Sequence, residues 1–271
     1  MAEGTAKSGK KVVKVEQAEP SQKAKDLANE AVKNNTDGVW KPTPENKSKA
    51  TTFRIVAVIF WVLAIAAEAV TIFWLLKQSS QSWFIWALIG AIVVIGVLAV
   101  VGSQFWKRAN QLDPAKKSEP ARFFIQNQLG VIITAIAFIP LIILVFLNKD
   151  MDGKQKGIVG AIGIVILAVV AYFSADLTPP SVEQYDAETQ QVVDITGENL
   201  VFWTAGGSVF HLCDAASAVN QESKDNTIYS GTVADAHAAG KERLTLQVEQ
   251  ETKQCGFDAP AEDAPAEDDA E

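Results

Sequence analysis

The sequence predicts a membrane α-helical protein: a four-transmembrane-helix bundle with a small α+β C-terminal cytoplasmic domain and disordered tails. Three observations predict this fold class. Four long apolar stretches lie between residues 55 and 175. Lys and Arg are concentrated on one side of those stretches, and highly charged, polar sequence precedes and follows them.

The formal charge is distributed unevenly along the 271 residues. Residues 1–54 hold eleven basic and seven acidic residues, residues 55–176 hold nine and six, and residues 177–271 hold four and nineteen. The net charges of the three regions are therefore +4, +3 and −15. This division excludes one soluble globule, a fully disordered chain and a secreted disulfide scaffold.

The four apolar stretches are long enough to cross a bilayer. A hydrocarbon core of about 30 Å needs about 20 residues at 1.5 Å per residue. Polar residues at the helical period are nearly absent from them, which argues against the alternative of four buried helices in a soluble protein. We predict spans at 55–76, 83–105, 123–147 and 158–175.

The basic residues near the helix ends predict the orientation. Nine lie in the N-terminal tail and the second gap, and four lie in the first and third gaps. Because basic residues favour the cytoplasmic side, we expect a multi-pass protein of the cell membrane with cytoplasmic N and C termini. No short apolar region typical of a cleavable signal precedes the first span. The nine are Lys41, Lys47, Lys49, Arg54, Lys107, Arg108, Lys116, Lys117 and Arg122, and the four are Lys77, Lys149, Lys154 and Lys156.

Glu68 is the one ionisable residue well inside a predicted span. A carboxylate in hydrocarbon is costly, so Glu68 should face other helices, where it finds a partner or stays protonated. Two interpretations stay open: a functional proton, ion or partner-subunit site, and a protonated side chain that is hydrogen-bonded within the bundle. In the third span, Pro140 removes one backbone hydrogen bond and predicts a kink.

Small residues predict close helix packing in two of the spans, because they let helix backbones approach each other. In the fourth span, Gly157 and Ala161 lie four residues apart and should share one face. The predicted packing residues are Gly157, Gly160, Ala161 and Gly163 in the fourth span and Ala87, Gly90 and Ala91 in the second.

The two tails are predicted to be mostly disordered, because they are polar and poor in large apolar residues. The N-terminal tail covers residues 1–52, with one short helix at 22–33, and the acidic C-terminal tail covers residues 251–271. Binding of nucleic acid is not predicted, because no basic stripe is interleaved with aromatic residues.

A linker at 177–198 is predicted to lead into a small α+β cytoplasmic domain at 199–250. Strand-like runs at 200–204 and 208–212 flank the turn Ala205-Gly206-Gly207. This pattern predicts a β-hairpin.

The rest of this domain is predicted to contain two short helices and a last strand. Thr232, with Asp235 three residues later, predicts a capped helix at 233–239, which Gly240 ends. The other predicted elements are a helix at 215–219 and a strand at 244–248.

His211, Cys213 and His237 raise the question of a metal site in the domain. His211 and Cys213 share one face of a strand, but a zinc site needs three or four ligands and a third is supplied only by assumption. Structural roles are the favoured interpretation, zinc binding is the alternative, and no cofactor is predicted. Cys213 and Cys255 are too few for a disulfide framework, and as an isolated pair they are compatible with reduced thiols in a cytoplasmic segment. The spacing shows no base that would activate a catalytic Cys–His pair.

Two stretches of the domain resemble a small domain at the end of actinobacterial membrane proteins. They are Val-Phe-Trp-Thr-Ala-Gly-Gly-Ser-Val-Phe-His-Leu-Cys at 201–213 and Ile-Tyr-Ser-Gly-Thr-Val-Ala-Asp-Ala-His-Ala-Ala-Gly-Lys at 228–241. With its size and layout, the chain resembles an accessory membrane subunit of the corynebacterial cytochrome bcc–oxidase respiratory supercomplex.

The resemblance implies an accessory or assembly role without haem or copper. It also implies that the partners are membrane lipid and other subunits, namely cytochrome bcc and the terminal oxidase. The sequence agrees, because none of the predicted spans contains His or Cys to ligate a haem.

A non-catalytic accessory subunit that binds a larger membrane complex is therefore the leading hypothesis. One alternative is a small transporter or channel that uses Glu68. Another is a metal-binding, regulatory or enzymatic domain at the cytoplasmic face that uses His211 and Cys213.

Overall fold

The structure, a computed structural model, describes residues 11–14, 40–221 and 226–257. Of residues 11–14 it describes the backbone alone. The chain divides into two compact units. Residues 42–181 form the membrane bundle, and the described residues before and after them form the polar unit.

The membrane bundle contains four long apolar helices, which confirms the predicted fold class. The shortest has 22 residues and spans about 33 Å, against about 30 Å of hydrocarbon. The protein is therefore a multi-pass membrane protein. The helices are α1 at Pro44–Phe73, α2 at Phe84–Leu112, α3 at Pro120–Leu147 and α4 at Gly153–Ser174, with a 3₁₀ turn at Leu75–Gln78 after α1.

Helix α1 begins inside the segment that was expected to be a disordered tail. The hydroxyl of Thr43 accepts a hydrogen bond from the backbone N–H of Asn46 at 3.2 Å, and Pro44 occupies the first turn. A capping hydroxyl followed by Pro stabilises a helix start. The predicted tail boundary at residue 52 is wrong. The first turns of α1 are polar, so the apolar stretch that begins at residue 55 does not show where the helix starts.

Helix α2 lies at the centre of the membrane bundle and packs against each of the other three helices. Its buried side chains recur every three or four residues and so form one face. The outer faces of the helices carry exposed large apolar side chains, which is the surface that lipid favours. Buried apolar residues of the bundle include Leu88, Ile92, Ile95 and Ala99 of α2 and Phe138, Leu141 and Val145 of α3.

The polar unit is built on two small sheets. The strands are β1 at Lys11–Lys14, β2 at Val201–Trp203, β3 at Val209–Phe210, β4 at Thr227–Gly231 and β5 at Arg243–Leu244. The first sheet has the strand order β1-β4-β2, with β1 parallel and β2 antiparallel to β4. In the second sheet, β3 and β5 pair in parallel.

Strands β2 and β3 form the predicted hairpin. The backbone N–H groups of Phe202 and His211 each donate to the other residue's carbonyl oxygen, at 2.9 and 2.7 Å. The inward side chains Val201, Trp203 and Phe210 are buried in the core of the unit. The predicted hairpin is therefore confirmed, and the structure shows which of its apolar side chains face the core.

The predicted capped helix is present as α6 at Val233–Ala238. The Thr232 hydroxyl accepts a hydrogen bond from the backbone N–H of Asp235 at 3.2 Å, and the Asp235 carboxylate accepts from the Thr232 N–H at 3.0 Å. This reciprocal pair is the predicted capping box. Gly240 follows with a φ of 88°, a conformation that strains any residue with a side chain.

The predicted linker at 177–198 is wrong, because most of it forms helix α5 at Val182–Thr196. Val182, Tyr185 and Val192 are buried along one side of this helix. Their spacings of three and seven residues fit 3.6 residues per turn. The polar and acidic residues between them conceal this stripe when composition alone is considered.

The C-terminal end of the polar unit also differs from the prediction. Helix α7 at Val248–Cys255 replaces the end of the predicted strand 244–248 and the start of the predicted tail 251–271. Residues 249–254 are mostly Glu, Gln and Lys, which are strong helix formers. Residues 258–271 of the predicted tail lie outside the described residues.

Residues 215–219 form turns instead of the predicted short helix. The side-chain amide of Asn220 donates to the carbonyl oxygens of Asp214 and Ala216, at 2.6 and 3.1 Å. A side chain that binds these carbonyls competes with the backbone donors of a helix.

Part of the predicted N-terminal tail is a strand. Residues 11–14 form β1 and pair with β4, which corrects the prediction that this stretch is disordered. Two β-branched residues between lysines suit an edge strand. The helix predicted at 22–33 lies outside the described residues.

Candidate functional site

His211 lies at the end of the hairpin and faces the carboxylate of Glu251 on α7. The His211 Nδ1 atom lies 2.6 Å from Glu251 Oε1. The other carboxylate oxygen accepts a hydrogen bond from the backbone N–H of Leu212 at 3.1 Å. Glu251 is 2% exposed, and a buried carboxylate is tolerated where its oxygens are hydrogen-bonded. These contacts therefore hold α7 against the hairpin.

Cys213 and Cys255 form a disulfide, with 6.0 Å between their Cα atoms. The interpretation of both cysteines as reduced thiols is therefore wrong for this state of the protein. The two residues are 42 positions apart, and only the folding of α7 onto the hairpin brings them into bonding distance. With its sulfur in the disulfide, Cys213 offers no thiolate to a metal or to catalysis.

His237 of α6 is buried among aromatic side chains. Its ring stacks on Tyr185 of α5, with 3.6 Å between ring centroids, and packs edge-on against Phe210 at 5.3 Å. Nδ1 lies 2.9 Å from the carbonyl oxygen of Lys241, and Nε2 lies 2.6 Å from Glu188 Oε2. Both ring nitrogens therefore face oxygen atoms, which fixes the orientation of the ring.

The ammonium group of Lys241 closes the turn of the hairpin. Nζ donates to the carbonyl oxygens of Thr204, Ala205 and Gly207, at 2.8, 3.3 and 2.6 Å. The residue is buried, and this burial lowers the pKa of the ammonium from its ordinary value. Three donors meet three acceptors, so Lys241 is a structural cation that fixes the turn.

The residues predicted as weak metal candidates are not brought together as one ligand set. Each takes part in a separate internal contact. Among the described residues, no group of three or more His, Cys, Asp or Glu side chains is placed to hold a metal ion. The contacts are His211 with Glu251, His237 with Glu188, and Cys213 with Cys255.

Sequence reasoning missed the two carboxylates that pair with the histidines. Glu188 lies on α5 three residues after Tyr185 and four before Val192, which places it on the buried side of the helix. An acidic residue at a position that belongs to the apolar side of a helix is a sequence signal for a buried, paired carboxylate. Glu251 has no comparable signal, because its partner His211 is 40 positions away.

A surface groove of about 760 Å³ lies beside these contacts. One wall comes from α5, including Glu188, and another comes from β5. Residues 245–250 complete the lining and lead into α7. The side chain of Leu246 is 77% exposed, so the groove combines charged walls with one accessible apolar group.

In the membrane bundle, Glu68 of α1 is 5% exposed. Its carboxyl group accepts a backbone hydrogen bond from Leu141, the residue after Pro140 in α3. Proline interrupts the backbone hydrogen bonds of its helix. The backbone of Leu141, the next residue, bonds Glu68 at this interruption. Its Oε1 atom has no hydrogen-bond partner among the described residues. Glu68 is therefore partly satisfied within the bundle.

A polar cluster joins three helices at the end of the bundle where α1 begins. Arg54 Nη1 donates to Asp113 Oδ2 at 2.8 Å, and Nη2 donates to the Asp113 carbonyl oxygen at 3.1 Å. Gln126 Nε2 donates to the same carbonyl oxygen at 2.7 Å. The Gln126 carbonyl oxygen accepts from Trp106 Nε1 and Asn110 Nδ2, at 2.6 and 2.7 Å. These bonds tie α1, α2 and α3 together.

Two of the four predicted packing residues in α4 lie at a helix contact. A Cβ on Gly160 would lie 2.2 Å from the Phe146 ring, and a Cβ on Gly163 would lie 3.4 Å from Ile142. Gly157 has no described atom within 4 Å of such a Cβ, and Ala161 is exposed. The predicted Gly157–Ala161 strip is therefore wrong, because those residues share an outward face.

Helix α2 packs through glycines other than the predicted one. A Cβ on Gly102 would lie 2.6 Å from the Trp61 ring, and a Cβ on Gly96 would lie 3.0 Å from Val170. Gly90, which was predicted to pack, is exposed and has no described atom within 4 Å. The neighbouring helix, and not the spacing of small residues, decides which glycine allows close approach.

No family model, curated protein sequence or solved structure matches the chain.

Proposed function

We propose that the protein is a non-catalytic accessory or assembly subunit that binds a larger membrane complex through its bundle and its polar unit. The observation that carries the proposal is the use of reactive side chains in internal contacts. Both histidines, both cysteines and the buried lysine of the polar unit hold its elements together. Because these side chains serve the fold of the unit, its surface is what it offers for recognition of a partner.

The complex that we propose as the partner is the respiratory cytochrome bcc–oxidase supercomplex. The support comes from the sequence, in which residues 201–213 and 228–241 resemble a domain of actinobacterial membrane proteins. Residues 201–213 form the hairpin, and residues 228–241 supply most of β4, all of α6 and the lysine that closes the hairpin turn. The resembling residues thus supply much of the core of the polar unit, including Val201, Trp203 and Phe210.

We also propose that the protein lies in the cell membrane with both termini on the cytoplasmic side. Nine basic residues near the helix ends lie on the side of the N terminus, and four lie on the other side, which favours this orientation. Four consecutive spans return the chain to the side from which it started. The basic residues Arg54 and Arg122 both lie near Asp113 at that end of the bundle.

Co-purification tests the accessory function. The full chain, tagged and expressed from its own locus, is extracted with a mild detergent and captured, and the eluate is analysed by mass spectrometry and haem absorbance. We expect cytochrome bcc and oxidase subunits in constant proportion to the tagged chain. The same tag on an unrelated four-helix membrane protein is the control. A chain that purifies alone in several mild detergents would rule out the proposal.

A second candidate function, a small transporter or channel, is favoured by the unpartnered Oε1 of Glu68. A buried carboxyl inside a span is a feature of ion and proton pathways. In proteoliposomes, Glu68→Gln would abolish a flux that the wild-type protein supports. Glu45→Gln, at an exposed position on the same helix, is the matched control. Absence of any flux in the wild-type protein removes this candidate.

A further inference from the structure

The last described helix, α7, is held to the polar unit by one covalent bond and a few polar contacts. The disulfide joins its last residue to Cys213. In the middle of the helix, Glu251 binds the hairpin at His211. Near its end, Gln254 Oε1 accepts a hydrogen bond from the backbone N–H of Ser217 at 3.0 Å.

We propose that the Cys213–Cys255 disulfide is a reversible redox clamp, which a cytoplasmic dithiol reductant opens to release α7. The proposal rests on the cytoplasmic orientation proposed above. Disulfides of cytosolic proteins are usually transient and serve redox sensing or catalysis. The sequence contains two cysteines, so the clamp has one closed form and one open form.

Helix α7 depends on the clamp because it has little else to stabilise it. A helix of 8 residues is not stable alone in water. Its apolar contribution is small, since Val248, Cys255 and, just after the helix, Phe257 are only partly buried against the core. Once the disulfide opens, the buried Glu251 carboxylate, the Gln254 hydrogen bond and the partly buried Phe257 ring are its remaining attachments. We therefore expect reduction to loosen α7 without unfolding the hairpin.

The exposure of the two cysteine residues indicates where the reductant attacks. Cys213 is 9% exposed, whereas Cys255 is more exposed and lies between the exposed residues Gln254 and Gly256. A thiolate of the reductant bonds to the sulfur of Cys255, and the bond to Cys213 breaks. Cys213 leaves as a thiolate and takes up a proton.

A second exchange completes the reduction. The other thiol of the reductant attacks the mixed disulfide and releases Cys255, which also takes up a proton. The clamp has then gained two electrons and two protons, and the reductant has become a disulfide. The reverse reaction, with an oxidised dithiol as the acceptor, closes the clamp again.

Opening the clamp changes the surface groove of the polar unit. Residues 248–250 of α7 line the groove together with Glu188 and Leu244. When α7 loosens, this part of the lining is lost, while the contacts of Glu188 with His237 remain. The redox state of one disulfide is thus coupled to the shape of a recess on the surface.

The redox state is measured on the full chain in living cells. Cells are treated with a permeant thiol oxidant or reductant, quenched with acid, and alkylated with a polyethylene-glycol maleimide under denaturing conditions. We expect a reversible gel shift between unmodified and doubly modified protein. A chain that stays unmodified under a permeant reductant, or stays doubly modified under an oxidant, would overturn the proposal.

Release of α7 is measured by hydrogen exchange of the purified full chain in detergent. We expect the amides of Val248–Cys255 to exchange about tenfold faster or more after reduction, while the hairpin amides change little. Cys255→Ser should exchange like the reduced wild-type protein in the absence of reductant. Equal exchange of α7 in the oxidised and reduced wild-type protein would exclude the clamp.

A third measurement separates failure of the clamp from failure of the orientation. In a Cys213→Ser, Cys255→Ser background, Glu119→Cys provides an exposed label in the second gap. An impermeant maleimide should label it only after the cells are permeabilised. Labelling in intact cells would reject the cytoplasmic orientation itself. A fixed disulfide in a correctly oriented protein would reject the clamp alone.

Discussion

Nε2 of His237 lies 2.6 Å from Oε2 of Glu188, and this buried pair ties α6 to α5. The same carboxylate accepts hydrogen bonds from the Gln184 side chain at 3.0 Å and from the backbone N–H of Leu244 at 3.4 Å. One acidic side chain thus connects two helices and the strand β5. The segment that composition describes as an acidic linker is a structural element of the polar unit.

We expect Glu188→Gln to destabilise the polar unit by about 2 kcal/mol, because a charge-assisted hydrogen bond becomes a neutral one. Hydrogen exchange of peptides from residues 199–257 at increasing denaturant measures the loss. Asp194→Asn, an exposed carboxylate on the same helix, is the matched control and should change stability by less than about 0.5 kcal/mol. Equal losses in both variants would contradict the role assigned to Glu188.

Lys241→Met should lower the unfolding free energy of the polar unit by roughly 1–3 kcal/mol, because three carbonyl oxygens of the hairpin turn lose their donor. Exchange of the amides at residues 204–208 should increase most. Lys253→Met changes an exposed lysine of the same unit and serves as the control. Equal protection of the turn in Lys241→Met and the wild-type protein would contradict the structural role of Lys241.

The pH dependence of folding stability in the wild-type protein and in Lys241→Met checks the ionisation of Lys241. Burial lowers its pKa in the folded protein from 10.5, so just below that pH the unfolded chain binds more protons than the folded one. Folding stability should therefore rise with pH in that range. The rise should appear in the difference between wild-type and Lys241→Met profiles. A difference that falls with increasing pH would contradict this sign.

Gly102→Ala should destabilise the membrane bundle by about 1–3 kcal/mol, because its Cβ would lie 2.6 Å from the Trp61 ring. Thermal unfolding of the full chain in mild detergent measures the effect. Gly90→Ala places the same methyl group in open space on the same helix and should be neutral or stabilising by up to about 1 kcal/mol. A loss of stability in both variants would show that packing against Trp61 is not the cause.

Asp113→Asn should loosen the end of the bundle where α1 begins, at a cost of about 2 kcal/mol, because Arg54 loses its ionised partner. Cysteine accessibility near the start of α1 and thermal unfolding measure the change. Glu119→Gln removes an exposed carboxylate that pairs with Arg122 at 3.3 Å and should cost less than about 1 kcal/mol. An equal effect of the two substitutions would contradict the importance of Asp113.

The elements predicted correctly from the sequence depend on local patterns. Four apolar stretches of sufficient length define four helices, because a backbone inside hydrocarbon must satisfy its own hydrogen bonds. The hairpin follows from two strand-like runs on either side of a glycine turn. The helix α6 follows from Thr232 and Asp235, which are three residues apart. In each case the residues that determine the element are neighbours in the chain.

The elements predicted incorrectly depend on a partner elsewhere. Helix α5 has a narrow apolar stripe that becomes meaningful only where Tyr185 meets His237. Among the glycines of α4, Gly160 allows close packing because Phe146 lies opposite, whereas Gly157 faces outward. Spacing identifies residues that share a helix face, but it does not identify which face meets another helix.

Hydrophobic length and charge are properties of continuous segments, so the amino-acid sequence predicts a four-helix membrane protein with charged, polar ends. The bond between Cys213 and Cys255 and the carboxylate partner of each histidine become apparent in the folded structure. These pairs join residues 40, 42 and 49 positions apart. Contacts over such separations arise from the packing of α5 and α7 on the hairpin and α6, which no local pattern encodes.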